Sequence, residues 1–207
     1  MYAVITDGSI SKYVNHPKPL VIGDVQYPAR IFSAWTASEL AAIGIIEVTF
    51  DDSNKKDEKW YINTNQTYTY DASAGTVTAT YGTATAKAHA DTTWSQQDSD
   101  DGDLPSDKSV GDVKVEGLKT ILIRTIKQQA AGILQDTDWY IVRKADAGTA
   151  VPSSITTHRA AVRTKAAEME TSITNASNTP ALETLYTYTT TDGVQSRPLG
   201  ELPTWDS

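Results

Sequence analysis

The chain has 207 residues, 39% apolar and 21% charged, enough for one large domain or two small ones with a buried core. A net charge of −8 and a pI near 4.8 leave no basic stripe to replace counterions on a nucleic acid, and they disfavour an anionic membrane surface. The absence of cysteine excludes disulfides, thiolate nucleophiles and Cys-ligated zinc.

The first ninety residues read as β-rich. Tyr2 to Thr6 and Ile10 to Val14 flank Asp7-Gly8, a hairpin signal. This opening lacks a basic n-region and meets its turn too early for a signal peptide. Leu20 to Val25 is a candidate third strand. Thr36-Ala37-Ser38-Glu39 has the form of a capping box, and the short helix it opens stops at Gly44. Ile45 to Phe50 alternates Ile46, Val48 and Phe50 against Ile45, Glu47 and Thr49, as a half-buried strand does. After a charged turn come Trp60-Tyr61-Ile62, then Thr67 to Tyr70 and Thr76 to Tyr81 joined by Asp71 to Gly75 as a second hairpin. Tyr61, Tyr68, Tyr70 and Tyr81 suit cross-strand packing better than a binding face. Two glycosylation sequons, Asn65-Gln66-Thr67 and Asn175-Ala176-Ser177, carry no meaning without a secretory signal.

Composition shifts near Thr83. Gln96 to Asp112 holds six aspartates against Lys108 and cannot bury much apolar surface, which predicts a linker. Asp98 to Asp103 is a poor calcium loop, with its glycine one place early and Ser109 where a bidentate Glu is needed. Beyond it, Leu118, Ile121, Leu122, Ile126, Ala130, Ile133 and Leu134 recur at helical steps. Ser153 or Ser154 can cap the next helix after Pro152. Its stripe is Ile155, Val162, Ala166, Met169 and Ile173, and the near-sevenfold spacing suits antiparallel packing in a hairpin, with self-association as the alternative. Thr179-Pro180 starts a short further helix. No repeat of 20–50 residues is present, and no apolar run approaches the roughly 18–20 residues of a membrane span.

These elements predict an α+β chain. A small antiparallel β-rich module with one short helix occupies 1–90, an acidic linker or long loop 91–115, a helical hairpin or short bundle 116–190, and an extended Pro-containing tail 191–207.

Catalytic chemistry finds little support. His16, His89 and His158 lie in three separate segments, no HExxH occurs, and no Gly-rich phosphate loop or nucleophile elbow is present. Asp136 and Asp138 form a carboxylate pair, but capping explains them better. Thr137 suits the N-cap of the helix carrying Trp139, and an Asp in the first turn complements the helix dipole. The reading is of a protein that is not an enzyme, with no catalytic residue, no cofactor and no metal ligand.

The most distinctive run is Leu134-x-x-Thr137-Asp138-Trp139-x-x-x-Arg143, followed by Gly148, Val151-Pro152 and His158-Arg159-x-x-x-Arg163. Over roughly 118–175 it resembles the tail-assembly chaperone family of tailed bacteriophages. One departure is His158, which stands where the family has an aromatic residue before the Arg. The start, with its YAVITDG hairpin and YPARIFSAWTASELAAIGI element, is similar to N-terminal modules of tail-fibre accessory proteins, including those of marine phages. The motif residues are then expected to fix a helical hairpin, with Trp139 filling its angle and Arg143, Arg159 and Arg163 lying over the ring and bonding Asp136, Asp138 or loop carbonyls. The resemblance implies a non-catalytic protein that binds a phage tail or tail-fibre protein in the host cytoplasm during assembly. The alternative is a permanent structural component of the virion tail or fibre. Neither a nucleic-acid partner nor membrane insertion is expected.

Overall fold

Apolar alternation in the first eighty residues builds a curled sheet. In the computed structural model, residues 1–64 and 66–205 are described; Asn65 of the first sequon, and Asp206 and Ser207 of the predicted tail, lie outside them. The chain is α+β, with its sheet in the N-terminal half and its long helices in the C-terminal half. It divides into two units, 1–85 and 86–207.

In the first unit, strands β1 (Tyr2–Thr6) and β2 (Ser9–Val14) form the expected hairpin. Its turn residues Asp7 and Gly8 both have positive φ, as the twist of a two-residue hairpin loop requires. The predicted third strand is instead a hairpin, β3 (Leu20–Ile22) and β4 (Val25–Tyr27), because Gly23 takes a left-handed φ of 57° and turns the chain. Helix α1 (Ile31–Ala34) precedes α2 (Ala37–Ala42), whose capping box is complete: Thr36 accepts from the Glu39 N–H, and the Thr36 N–H donates to Glu39 at 2.7 Å. Gly44 ends this helix with φ 79°; a Cβ there would lie 2.6 Å from the Ile5 carbonyl oxygen.

Strand β5 (Ile45–Asp51) pairs antiparallel with β1. Two-residue β6 (Tyr61–Ile62) follows, then β7 (Thr67–Asp71) and β8 (Thr76–Thr80) as the second expected hairpin. The sheet order is β2-β1-β5-β8-β7. β5 and β8 run parallel, with Val48 opposite Val77, so the sheet is mixed where an all-antiparallel one was expected. Its edge strands approach each other, since the rings of Tyr13 on β2 and Tyr68 on β7 lie 4.7 Å apart. Inside the curl pack Ala3, Val48, Val77 and Ala79, with Tyr68 and Tyr70 against them. The other face of β1 and β5 is also covered: Val4 and Ile45 meet Val14, Leu20, Ile31, Phe32 and Leu40. Ile45, expected on a solvent-facing side, is therefore fully buried.

Strand β9 (Thr85–Ala86) falls at the boundary, and the second unit continues with β10 (Thr92–Thr93), α3 (Gln96–Asp100) and β11 (Val113–Val115). Of the two expectations for 91–115, a linker or a long loop, the segment is the latter in form: β10 and β11 pair, and α3 is the one helix in the loop between them. Several of the aspartates there serve as hydrogen-bond acceptors. Asp98 completes a capping box with Ser95 and pairs with Lys114, which holds its carboxyl far below the usual carboxylate range. Asp91 accepts from the Gly117 N–H at 2.6 Å and the Thr120 hydroxyl at 2.8 Å, and both lower its pKa. Charge counting misses such roles because it records how many carboxylates there are, not which donors lie in reach.

Helices α4 (Leu118–Gln135), α5 (Asp138–Ala147), α6 (Ser153–Asn175) and α7 (Thr179–Tyr186) follow. Leu122, Ile126 and Ala130 of α4 are buried, as are Val162, Ala166, Met169 and Ile173 of α6, and they form the hairpin core, whereas Ile121 of the predicted α4 stripe is exposed. Pro152, and not Ser153 or Ser154, is the N-cap of α6, and no side chain caps it. Asn178 caps α7 by accepting from the Ala181 N–H, with Pro180 in the first turn. The tail is not simply extended. Strands β12 (Thr189–Thr191) and β13 (Val194–Ser196) form a hairpin, and Leu199 is 1% exposed, its N–H bonded to the Leu185 carbonyl.

Two glycines of α4 give opposite expectations. A Cβ at Gly117 would lie 2.3 Å from the Ala90 backbone, whereas one at Gly132, inside the helix, meets nothing within 4 Å. Gly132→Ala should raise stability by about 0.5–1 kcal/mol, and Gly117→Ala should lower it by more than that, both read by urea denaturation. Asp91 has a folded pKa below its unfolded value, so its contribution is present above the unfolded carboxylate pKa and is lost as pH falls through the folded one. Asp91→Ala should therefore melt lower than the parent at neutral pH, and the gap in melting temperature should shrink as pH falls below the usual carboxylate range.

Candidate functional site

The corner where α4 ends and α5 begins is held by one buried cation. Helix α4 leaves its last carbonyls without partners inside the helix. Arg159, on the inward stripe of α6 and 6% exposed, reaches that end. One terminal nitrogen donates to the Leu134 carbonyl at 2.7 Å and to the Thr137 hydroxyl at 2.6 Å, and the other donates to Asp138 at 2.8 Å. Thr137, itself buried, donates to the Leu134 carbonyl at 3.0 Å. A cation at a helix C-terminus and a carboxylate in a first turn are both favoured by the helix dipoles. Leu134, Thr137, Asp138 and Arg159 thus form one network, which explains their spacing.

This network revises two expected roles. Thr137 is the N-cap residue of α5 but makes no side-chain capping bond, because its hydroxyl is committed to Leu134 and Arg159. Arg159 does not lie over an aromatic ring; it is part of the hairpin core.

Trp139 departs furthest from expectation. It does not fill the hairpin angle but is 51% exposed, and none of the residues of α5 is buried. Its ring lies 3.8 Å from that of Tyr140, and the Arg143 guanidinium sits over both, at 4.8 and 5.3 Å. Ile141 and Val142, 42% and 65% exposed, extend this surface. The reason lies in the sequence. Trp139, Tyr140, Ile141 and Val142 are consecutive, so they point around the helix and one packing face cannot bury them all. Tyr140, Ile141 and Val142 are the members that the motif did not single out, and their contiguity was the available signal.

The remaining motif residues are separate from this surface. Pro152 caps α6. Arg163 is exposed and has no ion pair among the described residues. His158 stacks on Trp205 of the C-terminal segment, 3.8 Å between centroids and 28° between planes, so it does make an aromatic stacking contact. Arg197 and Glu201 form an ion pair at 2.7 Å in the same segment. Asp136 is exposed and Asp138 is held by Arg159, so the two carboxylates do not act as a pair. Among the described residues no cluster of three or more His, Cys, Asp or Glu could hold a metal, and no helix is long and apolar enough to cross a membrane.

No family model, no curated protein and no solved structure matches the chain.

Removing Arg159 leaves buried acceptors unpaired. Arg159→Ala should cost about 1–3 kcal/mol, whereas Trp139→Ala, at an exposed ring, should cost below about 1 kcal/mol. Paired denaturant titrations check this ranking, and a larger loss at Trp139 than at Arg159 would contradict it.

Proposed function

We propose that this is a bacteriophage tail-associated protein, akin to tail-fibre assembly chaperones, that binds a tail or fibre protein through non-catalytic contacts. The observation that carries the reading is the display of Trp139, Tyr140, Ile141, Val142 and Arg143 on a helix with no buried residue. Trp, Tyr and Arg are the residue types that dominate binding energy at protein interfaces. Here the three are prearranged by stacking, which lowers the entropy lost on binding. The Arg159 network supports the same reading because it fixes the start of α5, and a rigid helix presents anchors better than a loop does.

A chaperone of this kind would cover strand edges or trimer seams that aggregate before a fibre closes. It would act in the host cytoplasm and then leave; the alternative is a subunit that stays in the virion tail. Co-expression with the fibre subunit of the phage that encodes it tests the contact. Trp139→Ala and Val142→Asp should abolish co-purification while leaving the melting temperature nearly unchanged, and retention of binding in both variants would refute the role of α5. Mass spectrometry of purified virions separates the two fates: recovery in fixed ratio to the tail means a structural subunit, and absence means a transient chaperone.

A further inference from the structure

We propose that the first unit carries a binding site for a quaternary ammonium group of the choline type. Between α1, α2 and the sheet lies a cavity of about 120 Å³ lined by Tyr2, Phe32, Trp35, Leu40, Ile45 and Glu47. The rings of Tyr2 and Phe32 are 4.8 Å apart and inclined at 47°. Trp35 follows α1 directly and is 36% exposed. Leu40 and Ile45, both buried, supply apolar lining. Glu47 stands opposite Tyr2 in the β1–β5 register, which brings a carboxylate to the same cavity.

Three aromatic rings and one carboxylate around a small space are the ingredients of a cation cage, since the negative ring faces attract a cation that has shed its water. Elsewhere the chain supplies such cations itself. Lys56 lies 4.5 Å from the Tyr61 ring, Lys114 4.4 Å from Trp94, and Arg197 5.2 Å from both Tyr186 and Tyr188. Among the described residues no Lys or Arg is seated over Tyr2, Phe32 or Trp35, and Glu47 has no ion pair or hydrogen-bond partner from the chain. The chain therefore seats no cation of its own at these rings, two of which, Tyr2 and Phe32, pack on each other, while Tyr27 meets Trp35 at 5.9 Å.

The chemistry selects the kind of cation. A primary ammonium is strongly hydrated and carries donors that need several acceptors, whereas the cage offers one carboxylate. A quaternary ammonium has no donors, spreads its charge over methyl groups and gains from apolar walls. The cavity is small, which suits a head of a few methyl groups.

Calorimetric titration of the full chain tests this with choline, tetramethylammonium, and the neutral carbon analogue of choline in which a quaternary carbon replaces nitrogen. Both cations should bind saturably, and the carbon analogue at least about tenfold more weakly. Trp35→Ala should weaken choline binding by roughly 3- to 30-fold. Glu47→Gln, at an exposed residue that the fold does not need, should weaken it by about threefold, with the difference fading at high salt. Equal binding of the carbon analogue would mean an ordinary apolar gap and would overturn the proposal, as would the absence of saturable heat with choline. Sedimentation with phosphatidylcholine against phosphatidylglycerol vesicles identifies the source: Trp35-dependent retention on the former means a lipid headgroup, and binding of free choline alone means a soluble or polymer-borne one.

Discussion

The helical half of this protein depends on where one guanidinium is placed. Arg159 sits on the inward stripe of α6, in the position where an aliphatic residue would be expected, and its head reaches the end of α4 and the start of α5. Burying such a charge costs several kcal/mol unless it is paired and hydrogen-bonded. The corner meets that condition at the two terminal nitrogens, with a carbonyl at a helix end, a threonine hydroxyl that bridges two partners, and a carboxylate open to solvent on its far side, while the Nε stays unpartnered. The geometry is exacting, since few backbone paths between α4 and α5 bring all three acceptors into reach. A buried cation can in this way specify a corner more sharply than apolar packing, which tolerates many angles.

That constraint releases the rest of α5 from a structural role. With the corner held by polar bonds, Trp139 and its neighbours are not needed to close the hairpin, and the helix can carry an apolar outer surface. Cost and use are separated along one motif: Leu134, Thr137, Asp138 and Arg159 hold the corner, while Trp139, Ile141 and Val142 face outward and Arg143 lies over the Trp139 ring. The C-terminal segment has a comparable division, with Leu199 as a buried anchor and Trp205 laid on His158 at the surface.

Much of the fold could be read from residue order because local rules govern it. The Asp7-Gly8 turn, the Thr36–Glu39 capping box and the stripes of α4 and α6 depend on neighbours within a turn or two, and each formed as local chemistry predicts. What escaped depends on distant partners. Nothing in the sequence says that β5 lies parallel to β8 or that Asp91 will receive the Gly117 N–H. The site divides in the same way. Its residues were legible as a cluster, but burial of Arg159 and exposure of Trp139 were interchanged, because a large ring is usually inside and an arginine usually outside. The acidic segment misled for a related reason, since a carboxylate that caps a turn and one that faces water look alike in a composition.

The parallel pairing of β5 with β8 has a kinetic consequence. Val48 cannot meet Val77 until the intervening chain has been made and looped back, and contacts of this range form slowly because loop entropy is spent before they are gained. The network of Leu134, Thr137, Asp138 and Arg159 closes over a similar range but needs only the turn between helices to bring its partners together. Until β8 has been made β5 keeps a free edge, and the edge strands β2 and β7 stay unprotected until the curl draws them together.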